Sequence, residues 1–198
     1  MTVENIQLLK EMDYQKQLVF SYLACERLYP NYVFFSDNFD FGNKNVLREA
    51  IDFISSALLI DDLQRVNEIN SYLESIDINT PFPHNFNTIL ASSALDSCTS
   101  ISETLNFMLD RKAPRLNDIS SFAIDTVDMY IQDRDRLDFN TDALFDHKIF
   151  TEPLMQRELR IQKGIISYLD KIDKLELLDI NNLLNLQYND NKGNIDLH

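Results

Sequence analysis

Residues 18–32 have the sequence LVFSYLACERLYPNY, a run that is apolar on almost every side of a helix. Its apolar side chains recur at the three- and four-residue spacing of an α-helix and extend around most of the circumference. Such a helix is covered by neighbours on several sides, so the segment predicts the central helix of a bundle. Asp13 is a suitable N-cap for this helix, and Pro30 predicts that it ends near Tyr29.

The remainder of the chain is also predicted to be helical. The 198 residues include only three glycines and five prolines, too few for the frequent turns of a sheet protein. Residues 47–58 and 91–108 repeat apolar side chains at helical spacing, and no shift in composition marks a domain boundary. We therefore predict an all-α fold, a compact single-domain helical bundle of about seven to eight helices over residues 1–185. Residues 186–198 are predicted to form a loosely ordered tail.

Three connecting regions carry their own predictions. Residues 31–43 are rich in aromatic side chains and are predicted to form a short helix and a packed turn. Asp61 and Asp62 are predicted to begin a helix, because acidic side chains suit the N-terminal dipole. Residues 133–150 are predicted to be an acidic, irregular link.

The charge of the chain limits the partners that we expect. The formal net charge is -14, and such a surface repels phosphate backbones and anionic membranes, so we expect no nucleic-acid and no membrane binding. Two explanations of the acidity stay open, namely solubility and attraction to a basic protein partner. The N-terminal residues lack a signal-peptide pattern, and Cys25 and Cys98 do not form a disulfide framework. We therefore expect a cytoplasmic protein.

No motif predicts a catalytic, metal or cofactor site. An EF-hand loop beginning at Asp133 would need glycine at its sixth position and glutamate at its twelfth, where the chain has Asp138 and Leu144. The sequence contains no glycine-rich phosphate loop and no inward-facing Glu-x-x-His pair. We accordingly predict no catalytic residue, no metal and no cofactor.

Polar side chains on apolar helices are the remaining candidates. They are Glu26, Arg27, Arg48, Asp52, Asp96, Glu158 and Gln162. Glu26 and Arg27 are neighbours on one helix and cannot pair with each other, so their partners must lie on other helices. The seven residues are predicted to form one interhelical network, which either fixes the helix register or lines a polar pocket.

The segment Cys25-Glu26-Arg27-Leu28-Tyr29-Pro30-Asn31-Tyr32 resembles the signature of the YjaG-like family of bacterial proteins, whose function is not assigned. The resemblance continues, more weakly, over nearly the whole chain. It includes Phe41 and Gly42, Arg48, Asp52, Asp96-Ser97-Cys98, Glu158, Gln162 and Gly193-Asn194-Ile195. It implies a compact all-α domain of about this length and no particular reaction. Where the family tends to have a Tyr-Gly-x-Tyr-Pro turn, this chain has residues 90–94 in a predicted helix.

Two functions are compatible with these observations. The first, which we favour from sequence, is a non-enzymatic protein-interaction module with an acidic surface, for example an immunity-like or inhibitor-like protein that binds a basic protein. The alternative is a small-molecule-binding protein or enzyme with a polar interhelical pocket around Glu26 and Arg27. Homo-oligomerisation through apolar helix faces is compatible with either.

Overall fold

The computed structural model of the protein describes residues 3–60 and 65–197. Within these ranges the chain is all-helical, as the sequence predicts, with nine α-helices, one 3-10 turn (Pro83–Asn85) and no strand. The helices are α1 (Val3–Glu11), α2 (Tyr14–Phe39), α3 (Lys44–Ala57), α4 (Val66–Ile78), α5 (Leu90–Asp110), α6 (Pro114–Asp135), α7 (Phe145–Thr151), α8 (Pro153–Lys171) and α9 (Leu177–Gln187). The predicted number of seven to eight was slightly too low, because α7 lies within the link that we expected to be irregular.

Helix α2 lies at the centre of the bundle. It packs most extensively against α5 and also contacts α1, α3, α6, α8 and α9. Asp13 caps its N-terminus by accepting a hydrogen bond from the backbone N–H of Lys16 at 3.0 Å. The apolar faces predicted for residues 47–58 and 91–108 are buried against it or its neighbours. The central position of α2 means that a side chain on it can reach several helices at once.

The prediction that Pro30 ends α2 is wrong. The helix continues through Pro30 to Phe39, although a proline inside a helix removes one hydrogen bond and costs about 3 kcal/mol. The continued face is strongly buried, since Asn31, Tyr32 and Phe35 have no solvent exposure. Tertiary packing of this face outweighs the local cost of the proline.

The aromatic side chains predicted to form a packed turn form a cluster at the end of α2. Phe35 contacts Phe39, Phe41 and Phe86 at ring-centroid distances of 4.9, 5.8 and 4.9 Å. Gly42 follows with φ of 69°, a left-handed conformation that favours glycine. The cluster and this turn reverse the chain from α2 into α3.

Two further predictions have different outcomes. Asp61 and Asp62 lie outside the described residues, and the next described helix begins at Val66. Part of the predicted loose tail is packed, because Asn194 and Ile195 are buried. Asn194 bridges the bundle by accepting from Asn31 Nδ2 at 2.9 Å and donating to the carbonyl oxygen of Ala123 at 2.7 Å.

Among the described residues, no helix combines the length and the apolar character that crossing a lipid bilayer requires.

Candidate functional site

Arg27 forms the most deeply buried ion pair of the protein's described residues, and its partner is Glu158 on α8. The two side chains are 5% and 1% exposed. The guanidinium binds the carboxylate through two hydrogen bonds, Nε–Oε2 at 3.2 Å and Nη2–Oε1 at 2.9 Å. Because two parallel hydrogen bonds fix both position and orientation, this pair locks α2 against α8.

Further polar groups satisfy the rest of the Arg27–Glu158 pair. Arg27 Nη1 donates to the carbonyl oxygen of Leu23 at 3.1 Å and to Gln187 Oε1 at 2.8 Å. Glu158 Oε1 accepts from Gln162 Nε2 at 2.8 Å. Gln162 in turn accepts from the Ser120 hydroxyl at 2.7 Å. The network therefore joins α2, α6, α8 and α9. It gives hydrogen-bond partners to polar groups that are buried and have no access to water.

Glu26 faces a different helix and belongs to a second, more exposed group. Arg48 on α3 binds its carboxylate through two hydrogen bonds of 2.8 Å each and also donates from Nε to Asp52 at 2.9 Å. Burial lowers the pKa of Arg48, but the hydrogen bonds and charges of Glu26 and Asp52 together raise it above its usual value. Burial also raises the pKa of Tyr22 well above its usual value, and the adjacent Glu26 charge adds to this effect.

Asp96 lies apart from both groups, on the face of α5 that packs against α6. Its carboxylate accepts a hydrogen bond from the Thr126 hydroxyl at 2.7 Å. Burial raises the pKa of Asp96 to about 6, a shift that the Thr126 hydrogen bond opposes and the neighbouring Asp125 charge reinforces. The seven candidate residues therefore form three groups and not the single network expected from sequence.

The Asp96→Asn variant is expected to be more stable than the wild type at pH 7, by on the order of 2 kcal/mol. In the wild type the folded carboxyl keeps its proton up to about pH 6, whereas the unfolded carboxyl loses it near its ordinary pKa of 3.8. Stability therefore falls as the pH rises through this window, and the variant lacks that fall. Urea denaturation between pH 4 and 7 measures the free energy of unfolding of both proteins across this window. The exposed Asp118→Asn variant is the control, and equal pH slopes in the two variants would contradict the assignment.

The signature residues around Glu26 and Arg27 fasten α2 to its neighbours. Cys25 lies 3.3 Å from the hydroxyl of Thr104, and burial raises the pKa of its thiol to about 11. Tyr32 donates from its hydroxyl to the carbonyl oxygen of Asn79 at 2.8 Å. Cys25 and Cys98 are both free and buried. In these positions both cysteines pack as small hydrophobic residues.

An open cleft of about 820 Å³ lies beside the two ion-pair groups. Its walls are the second half of α2, the start of α3, the end of α9 and the segment 188–192, together with Leu197. Its apolar and aromatic lining includes Pro30, Val33, Phe34, Leu184 and Tyr188. Its charged lining includes Glu26, Asp37, Lys44, Arg48, Asp190 and Lys192. Arg27 reaches the base of this cleft, so its pair with Glu158 supports the wall. Three of the seven candidate residues, Glu26, Arg27 and Arg48, are thus satisfied by ion pairs and also border the cleft.

Sequence reasoning missed Gln187, Ser120 and the whole contribution of residues 188–192. Ser120 had a detectable signal, because a small polar residue on the apolar face of α6 usually has a hydrogen-bond partner. No local sequence signal could identify Gln187, because it lies 160 positions from its partner Arg27 in the chain. Among the described residues, no group of three or more His, Cys, Asp or Glu side chains is arranged to hold a metal ion.

Three comparisons with known proteins point to the same family. A family model described as "Protein of unknown function (DUF416)" matches residues 4–198. Proteins called "Uncharacterized protein YjaG" from Salmonella typhimurium strain LT2 and from Escherichia coli strain K12 are each 25% identical over 170 residues. Those alignments cover 85% of this chain and 83% of each relative. A crystal structure of a DUF416 family protein from Shewanella baltica OS155 has the same fold. Its TM-score is 0.85 at 24% identity, with 97% of both chains covered.

Proposed function

The chain belongs to the DUF416 family, as its resemblance to YjaG-like proteins indicates, and from this premise we propose that it is a ligand-binding protein. The ligand is a small molecule with an apolar body and an anionic group. It binds in the cleft between α2, α3, the end of α9 and residues 188–192. The single observation that supports this function is the cleft itself, with its volume of about 820 Å³ beside the signature residues.

The size and the lining of the cleft suit a small molecule. Ligand sites typically enclose about 300–1,000 Å³ and combine apolar walls with a few polar groups that orient the ligand. Val33, Phe34 and Leu184 supply apolar wall, and Tyr188 adds an aromatic ring with a polar tip. Pro30 also lines the cleft, and its missing N–H deprives the Glu26 carbonyl oxygen of its usual helical donor. We therefore assign to that carbonyl oxygen the hydrogen bond from a hydroxyl or amine of the ligand.

The arginines of the cleft position other groups and do not clamp the ligand. Arg27 and Arg48 already bind carboxylates bidentately, so neither guanidinium has its paired face open to an anion. Lys192 differs, because no carboxylate of the described residues lies within ion-pair distance of its ammonium. We therefore assign the contact with the anionic group of the ligand to Lys192.

Binding of 8-anilinonaphthalene-1-sulfonate tests the proposal, because this probe combines aromatic rings with one sulfonate. We expect one molecule to bind per chain with enhanced fluorescence. Val33→Trp fills the cleft and is expected to weaken binding at least about tenfold, which corresponds to about 1.4 kcal/mol. Lys192→Gln removes the charged partner and is expected to weaken binding about tenfold.

Matched variants on other surfaces separate the cleft from nonspecific effects. Ser121 and Lys174 are exposed and lie outside the cleft. Ser121→Trp and Lys174→Gln should therefore bind the probe as the wild type does. Undiminished binding by Val33→Trp, with its helical content unchanged in circular dichroism, would refute the assignment of the cleft.

A further inference from the structure

A second concave surface lies on another part of the molecule, between α6, α7 and α8. We call it the α6–α8 groove, and its volume is about 590 Å³. The residues that line it are Ile124, Asp128, Asp146, His147, Ile149, Phe150, Met155 and Leu159. None of them borders the cleft beside Glu26, so the groove is a separate surface.

The floor of the α6–α8 groove is apolar and fixed in place. Ile149 and Met155 are 6% and 4% exposed and belong to a small hydrophobic cluster that is distinct from the main core. Phe150 stands at the edge with 60% of its surface exposed. Large apolar side chains exposed beside a concave apolar floor are typical of surfaces that bind another molecule.

The rim of the α6–α8 groove is negatively charged. Residues 124–147 contain seven aspartates and only two arginines. Arg134 pairs with Asp135 and Lys148 with Asp142. Arg136 has no ion pair among the described residues, but it borders a different concavity and does not line the groove. Asp128 and Asp146 have no cationic partner within ion-pair distance among the described residues. An apolar floor with an uncompensated acidic rim is complementary to an apolar surface flanked by lysine or arginine.

We propose that the α6–α8 groove binds an amphipathic, basic helix of a partner protein. The apolar face of that helix packs on Ile149, Phe150 and Met155, and its lysines or arginines lie against Asp128 and Asp146. A helix fits better than an extended peptide, because the described part of the chain has no sheet edge to which a strand could add. The acidic rim repels phosphate backbones and anionic lipids, so the partner is a protein.

Methionine methyl NMR on the full chain locates the binding surface. The probe is a helical peptide of about 18 leucines and lysines, with leucines at the spacing of one helix face. The Met155 methyl resonance is expected to shift on peptide addition, whereas that of Met108, on α5, stays in place. A peptide with glutamates instead of lysines is expected not to bind. An unmoved Met155 resonance in the presence of bound lysine peptide would overturn the proposal.

Affinity measurements by fluorescence anisotropy add matched variants. Phe150→Ser is expected to weaken peptide binding about tenfold, and Phe139→Ser, exposed outside the groove, less than about twofold. The double variant Asp128→Asn/Asp146→Asn should weaken binding about tenfold at low salt, and Asp170→Asn/Asp173→Asn less than about twofold. Equal losses in the groove and control variants would overturn the proposal. So would self-association of the wild type that Phe150→Ser abolishes, since the occupant would then be a second copy.

Discussion

The Glu158→Gln variant is expected to lower the free energy of unfolding by about 3–5 kcal/mol, the usual cost of removing one partner of a buried ion pair. Glutamine has nearly the same size as glutamate, so the loss of stability comes from removing the charge and not from creating a cavity. The variant leaves Arg27 positively charged, 5% exposed and without a counter-ion. It also replaces the carboxylate that accepts a hydrogen bond from Gln162 Nε2 at 2.8 Å with an amide. Urea denaturation followed by circular dichroism measures the effect.

Two comparisons make the Glu158→Gln result interpretable. Glu68→Gln breaks the exposed pair with Arg65 on α4 and is expected to cost less than about 1 kcal/mol. The double variant Arg27→Met/Glu158→Leu replaces the pair with apolar side chains and should recover most of the lost stability, because it leaves no unpaired buried charge. A loss below about 1 kcal/mol in Glu158→Gln would show that the pair does not fix α2 against α8.

The Arg27–Glu158 pair also connects the stability of the bundle to the cleft. Arg27 donates to Gln187 at 2.8 Å, and Gln187 ends the helix that precedes residues 188–192. These residues form one wall of the cleft. The sequence left a structural lock and a polar pocket as alternatives. The Arg27 guanidinium holds α8 through Glu158, and it also contacts Gln187 beside the cleft wall.

The helical class could be predicted from local information. Few glycines and prolines, together with apolar side chains at three- and four-residue spacing, are properties of each segment alone. Helix α5 illustrates this, because its apolar stripe from Ala91 to Met108 is buried as its spacing indicates. The N-cap at Asp13 is equally local, since it needs only the N–H of Lys16. Such features do not depend on which helix packs against which.

Features that depend on distant contacts were not predictable in the same way. Pro30 is a helix breaker by local rules, and only the burial of Asn31, Tyr32 and Phe35 against other helices keeps α2 intact. The candidate polar residues were identified individually, but their grouping depends on helix placement. Asp96 faces α6, and this separates it from Glu26 and Arg27. The cleft depends on residues 188–192, whose composition is typical of a loosely ordered tail. These residues form a wall only because Asn194 anchors the chain to Asn31.

The Gly42→Ala variant is expected to lower the free energy of unfolding by about 3 kcal/mol, for two reasons that act together. Gly42 has a φ of 69°, and an L-residue in this conformation costs about 1–2 kcal/mol. An added Cβ would also lie 2.2 Å from the hydroxyl oxygen of Tyr32. The Tyr32 ring cannot retreat, because the side chain has no solvent exposure and its hydroxyl binds the carbonyl oxygen of Asn79.

Gly164 provides a control with the same substitution and the opposite sign. It lies inside α8, and the nearest atoms to an added Cβ are 3.7 Å away, so Gly164→Ala should stabilise the protein by up to about 1 kcal/mol through helix propensity. The Tyr32→Phe background then separates the two causes at Gly42, because it removes the colliding oxygen and leaves the backbone strain. Gly42→Ala should cost about 1–2 kcal/mol in that background. An equal cost in both backgrounds would mean that the backbone conformation alone makes Gly42→Ala destabilising, and that the close contact with Tyr32 does not contribute.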